Sequence, residues 1–137
     1  ALSDGKPSME KGFHIALLNA NPDTVSVIHC HPLYCTALAV RGERIKSSLT
    51  PEGVVLLGDV PLIGYFTPGS KKLAEAVASH SSSRAILMER HGAITQGRSP
   101  EEAFNRMEEL EFQAKLQMLA GDADELPRSE VRKLMKM

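Results

Sequence analysis

Aromatic side chains are the sequence's clearest shortage: no tryptophan, two tyrosines and four phenylalanines make up 4% of its 137 residues. Few groups can therefore act as a phenolic acid, and Tyr34 and Tyr65 are the whole supply. Cysteine is scarce too. Cys30 and Cys35 are too few and too close together to frame a disulfide-held fold, so the default is a reducing compartment, with both thiols as small buried hydrophobes. A net charge of −1 gives no field that would attract nucleic acid or an anionic membrane surface. No apolar run approaches the roughly 20 residues of a membrane span, and no basic-then-apolar stretch opens the sequence. The expectation is a cytoplasmic protein without nucleic acid or membrane as partner. A phosphate loop, a dinucleotide fingerprint, a nucleophile elbow and an internal repeat are all missing.

What is present is ordinary in bulk. The hydrophobic share of 42% and charged share of 24% suit a globular chain, and residues 1–137 read as one domain. "DGKPS" at 4–8 is turn chemistry, with Ser8 able to cap a helix running from Met9 to about Asn19 on Phe13, Leu17 and Leu18. Val25 to His31 reads as a strand, and "LYCTALAV" at 33–40 as a buried helix ending near Gly42. "VVLLG" and "VPLIGYF" read as short strands or irregular connections. An amphipathic helix follows "TPGS", and "AILMERHG" at 85–92 reads as one strand, with "AIT" extending strand beyond Gly92. Ser99-Pro100-Glu101-Glu102 starts the longest helix, to about Ala120, on which "MEELE" at 107–111 reads as a solvated face. The tail from 128 is a short helix or frayed. Helices alternating with strands argue for an α/β sandwich with a thin sheet of three to five strands.

The informative stretch is "VIHCHP" at 27–32. On a strand, His29 and His31 share a face and Cys30 takes the other, and Pro32 ends the ladder just beyond them. By itself the pair reads either as metal ligands or as two structural histidines. A third imidazole, His91, precedes Gly92, whose lack of a side chain permits close backbone approach. Imidazole is the commonest ligand for a borderline metal, and three nitrogens with one carboxylate or water suit Zn²⁺. Glu10 is the natural acid. His14 and His80 read as hydrogen-bonded or solvated histidines.

Together, "KPSMEKGFH", "VIHCHPLYCTALA" and "MERHGAITQG", with "YFTPGSKKLAEAV" and "SPEEAFNRMEELE", resemble the class II aldolase/adducin superfamily. Its members include L-fuculose-phosphate aldolase, L-ribulose-5-phosphate 4-epimerase and methylthioribulose-1-phosphate dehydratase. The resemblance implies a three-layer α/β/α fold and a homotetramer with active sites at subunit boundaries. It also implies a divalent metal, Zn²⁺ with Mn²⁺ or Co²⁺ as alternatives, held by His29, His31, His91 and Glu10. Glu10 doubles as the base, Ser8 contacts substrate phosphate, and the substrate is a small phosphorylated sugar. The implied reaction is retro-aldol cleavage through a metal-stabilised enediolate.

The pattern departs from the family in three places. Met9 stands where aldolases often carry a second serine; the family's N-terminal Gly-Asn turn and Thr-Pro-x-Gly loop do not occur ahead of Glu10; and the aldolase tyrosine aligns near Thr50. The expectation is a partial version of the family domain. Glutamate at position 10 favours aldolase over epimerase, which resembles this pattern with aspartate there. A dehydratase with Glu52 as its acid/base is the alternative enzyme, and a non-catalytic adducin-like assembly domain is the alternative without chemistry.

Overall fold

The computed structural model describes residues 10–137. Its elements, in chain order, are α1 (Lys11–Ala20), β1 (Ser26–Cys30), α2 (Leu33–Arg41), α3 (Pro51–Leu57), β2 (Leu62–Ile63), α4 (Lys71–Ala78), β3 (Ala85–Met88), β4 (Gly92–Gly97), α5 (Pro100–Ala120) and α6 (Arg128–Met135). The four strands lie in the order β1-β4-β3-β2. β1 pairs antiparallel with β4 and β4 with β3, while β2 runs parallel to β3.

Period-two alternation sorts the two sides of this sheet. Ala85, Leu87 and Ala93 point toward Cys35, Leu38, Leu57 and Leu110, so α2, α3 and α5 cover one face. Ile86, Met88 and Ile94 point toward Phe13, Leu17, Leu73 and Val77, so α1 and α4 cover the other. The result is the expected α/β/α sandwich. Leu17, Leu38 and Ile86 are at most 1% exposed, and burial of each stabilises the fold by about 1.5–3 kcal/mol.

Two expectations for local structure fail. "VVLL" is helical, because Thr50 and Pro51 start a helix, Glu52 sits favourably in its first turn, and Gly58 at a positive φ of 63° ends it. Gly53, Val54 and Leu57 are its buried residues, and that helical period overrides the β preference of valine. The run 85–92 is two strands, since the chain reverses at Glu89–His91, where Arg90 takes φ 56° and its N–H donates to Ala39 O at 3.2 Å. The tail forms α6. Ser8 and Met9 lie outside the described residues; the position preceding α1 is Glu10.

Candidate metal centre

Three segments converge at the end of the sheet where β1 stops and the β3–β4 turn begins. Glu10 arrives at the N-terminus of α1, His29 next to last in β1, His31 just after it, and His91 as the last residue of the turn. Each offers a ligand atom, and these four atoms lie within 4.8 Å of one another. Ring centroids are 4.7 Å apart for His29–His31, 4.9 Å for His29–His91 and 5.5 Å for His31–His91. The structure brings these four side chains together. His31 lies beyond the last paired residue of β1, but its ring still reaches the group.

Backbone geometry makes the convergence specific. His29 faces the α1 side of the sheet, edge-on to Phe13 at 5.2 Å, which directs it toward Glu10 at that helix's start. Its Nδ1 lies 3.0 Å from Ala93 O on β4. A carbonyl only accepts, so Nδ1 carries the proton and Nε2 presents a lone pair. That lone pair sits 3.0 Å from Glu10 Oε2 without the alignment of a hydrogen bond. Two acceptors held so close repel unless a cation lies between them. His91 Nε2 also contacts Glu10 Oε1, and His91 Nδ1 is buried without a hydrogen-bond partner among the described residues. Burial holds His29 below its ordinary 6.5, against the raising effects of the Ala93 carbonyl and Glu10, so its neutral, ligand-competent form is favoured.

Gly92 explains the His-Gly pairing. A Cβ there would stand 2.6 Å from Cys30 O and 2.6 Å from His31 Cδ2, so any side chain would drive into the His31 ring and the Cys30 carbonyl.

The donor set therefore fits a borderline divalent metal: three imidazoles and a carboxylate, with at least one lone pair already aimed inward. Cys30 is exposed, which corrects the expectation that both thiols are buried. Cys35 is buried, and burial together with the nearby Glu111 pushes its thiol far up, which disfavours a thiolate ligand or nucleophile.

The remaining candidates lie elsewhere. Glu52 is exposed in the first turn of α3, on the sheet face opposite α1, and outside the converging group. His14 stacks on Phe13 at 4.8 Å, and burial lowers its affinity for protons. His80 lies in the turn after α4, apart from the cluster. Thr50 Oγ1 accepts from Gln113 Nε2 at 2.7 Å, Tyr34 lies under Lys115 Nζ at 5.6 Å, and Tyr65 is 52% exposed. A cavity of about 650 Å³ opens between α3 and α6, lined by Arg44, Lys46, Asp59 and Arg132 among others, and holds none of the four clustered residues.

The sequence reading missed Glu111. Its carboxylate is not on a solvated face but accepts the Tyr34 and Cys35 backbone N–H groups at 3.0 and 2.9 Å. The only signal was its place four residues after Met107, a position on the buried stripe.

Residues 1–118 match the family model described as Class II Aldolase and Adducin N-terminal domain. The chain is 40% identical over 126 residues to 3-oxo-tetronate 4-phosphate decarboxylase of Escherichia coli strain K12, covering 88% of this chain and 59% of that protein. It is 36% identical over 115 residues to L-fuculose phosphate aldolase of Methanocaldococcus jannaschii, covering 84% of this chain and 62% of that protein. The crystal structure of YgbL from Escherichia coli superposes with a TM-score of 0.90 at 38% identity, covering 98% of this chain and 68% of that one. The chain thus spans about 59–62% of the length of those curated relatives.

Proposed function

Because the chain belongs to the class II aldolase and adducin family, we propose that it carries the metal centre of a carbon–carbon lyase, with Glu10, His29, His31 and His91 as ligands and a small phosphorylated sugar derivative as substrate. The observation that carries this reading is the inward convergence of three imidazoles and one carboxylate, with His29 fixed in the tautomer that aims Nε2 at Glu10. Such donors suit Zn²⁺, with Mn²⁺ or Co²⁺ as the other fits.

Held by these four residues, a divalent ion would supply Lewis acidity to a substrate carbonyl. The protein's own part is placement and proton movement. Ala93 O and Phe13 fix the His29 ring, and Gly92 leaves room for His31. Glu10 is the carboxylate of the cluster, so it is the group to take and return a proton at its Oε atoms. In a retro-aldol cleavage it takes that proton from the hydroxyl on the far carbon of the breaking bond, then returns one to the carbon left with the electron pair. Ser8, two residues before Glu10, is assigned to the substrate phosphate.

Decarboxylation of a phosphorylated 3-oxo sugar acid is the second reading, favoured by the 40% identity to the Escherichia coli decarboxylase. Loss of CO₂ needs no base to break the bond, only a proton for the carbon left behind, and Glu10 is again the donor. The Glu52 dehydratase reading loses support from the place of that residue on the opposite sheet face. The assembly-only reading has no use for a lone pair aimed at a carboxylate.

We propose a homo-oligomer, on the model of the tetramer expected from the sequence, since Leu33, Phe104, Phe112 and Leu119 are 54–73% exposed apolar side chains on α2 and α5. Light scattering on the purified chain tests this, and a monomer would contradict it. Among the described residues no helix is long and apolar enough to cross a membrane.

The deciding experiment compares Glu10→Gln and Glu52→Gln on a ketose 1-phosphate and on a phosphorylated 3-oxo acid, following aldehyde and CO₂ release. The proposal expects Glu10→Gln to abolish turnover of whichever substrate the wild type uses, and Glu52→Gln to leave it intact. Full turnover without the Glu10 carboxylate would refute the assignment.

A further inference from the structure

The first turn of α2 begins immediately after the His-x-His segment, and its sequence gives it no cap of its own. Its N-cap residue is Pro32, which has no side-chain acceptor, and no side chain within the helix supplies one. Uncapped helix starts leave N–H groups without partners, and a carboxylate near the positive end of the helix is a favourable remedy. Here the remedy comes from 76–77 residues further along the chain: Glu111 Oε2 accepts Tyr34 N–H at 3.0 Å and Glu111 Oε1 accepts Cys35 N–H at 2.9 Å. Charge-assisted bonds of this kind are stronger than those between neutral groups.

The consequence lies three residues before Tyr34, at His31. His29 is anchored by Ala93 O, and His91 sits within a hydrogen-bonded turn. His31 is exposed, lies outside β1, and has no side-chain hydrogen bond among the described residues. Its ring direction is therefore left to the backbone on either side of it. On one side, Gly92 lets the ring lie against β4. On the other, Pro32 has φ −63° and its carbonyl accepts Thr36 N–H at 2.8 Å, so Pro32 moves with the first turn of α2.

We infer that Glu111 is a positioning residue for the metal centre: it pins the first turn of α2 to α5, and through Pro32 it holds His31 in place for the ion. The inference rests on the metal reading above. Metal binding must in turn steady the cap, because coupling between two sites is reciprocal.

The test uses Co²⁺ as the probe, with affinity measured by chelator competition on the full chain. Glu111→Ala should bind about tenfold more weakly than wild type, at the lower end of what loss of a supporting group costs a metal site. Glu108→Ala, an exposed neighbour on the same helix, should bind as wild type does. Val77→Ala, a core change in α4 remote from α2, controls for general loss of stability. An affinity for Glu111→Ala within twofold of wild type, or no lower than that of Val77→Ala, overturns the inference. Should Glu111→Ala fail to fold, amide exchange in the wild-type protein decides: Co²⁺ should slow exchange at Tyr34 and Cys35, and unchanged exchange overturns the inference. Failure of the wild type to bind Co²⁺ at all would instead defeat the metal reading, and this inference with it.

Discussion

Two sets of half-buried or buried polar side chains border this sheet, and they are wired in opposite ways. Along α5, Arg106 donates to Gln96 O, Glu111 accepts from Tyr34 and Cys35, Gln113 donates to Thr50 and Glu109, and Gln117 bonds Arg44 O and Lys46 N–H. Nearly every polar atom there has a protein partner, Gln113 Oε1 being the exception. At the mouth of β1, by contrast, His29 Nε2 faces a carboxylate without a hydrogen bond and His91 Nδ1 is buried without one among the described residues. Satisfied polar groups tie helices to loops. Convergent unsatisfied ones need a ligand, because burying them without a partner costs about 1–3 kcal/mol each.

Changes at the β1 mouth should strike metal and activity, and changes along α5, Glu111 apart, should strike stability. The largest effect expected is for His91→Ala, which removes a proposed ligand: metal content of purified protein should fall to background and turnover by about 100-fold or more, at least what loss of a supporting group costs, while the chain stays folded by circular dichroism. Retained stoichiometric metal would erase the contrast. Next is Gly92→Ala. The new Cβ meets Cys30 O and His31 Cδ2 at 2.6 Å each, so this change should cost about 1–3 kcal/mol in urea unfolding and weaken metal binding as well. A loss of stability with metal affinity intact would show that His31 can move aside without harm.

Gln117→Ala sharpens the other side. It deletes the acceptor for Lys46 N–H at 2.7 Å and the donor to Arg44 O at 3.1 Å, which should cost about 1–3 kcal/mol of stability with no change in metal affinity. The smallest effect is in pH. Burial holds both His14 and His29 below their ordinary 6.5 in the folded chain, so the unfolded chain binds more protons in mild acid. Stability of the metal-free protein should therefore decline as pH falls below about 6.5 and recover above it. Thermal midpoints measured in a chelating buffer at neutral and mildly acidic pH check the sign, and a rise in acid would contradict it.

Much of this arrangement is legible before folding. The spacing of His29 and His31, the glycine after His91 and the acid at Glu10 all mark the β1 mouth, because ligand sites use few residue types in short patterns. The long helix is equally plain from Ser99 and Pro100, whose roles as cap and first helical residue are observed. What stays hidden depends on tertiary partners. Val54 and Val55 suggest strand until the buried stripe of Gly53, Val54 and Leu57 finds α5. The reversal at Arg90 is invisible because a positive φ is expected at glycine or asparagine rather than arginine. Glu111 looks like one more solvated acid, since nothing near it in the sequence shows that its carboxylate reaches the first turn of α2, 76–77 residues away.

An anomalous difference map, from crystals of the full chain grown with zinc and recorded at the zinc edge, tests the central claim most directly. The account predicts one strong peak among Glu10, His29, His31 and His91, with ligand distances of about 2.0–2.2 Å. A map with no peak there, the His29 and His91 rings turned apart and Glu10 withdrawn from both, would contradict it.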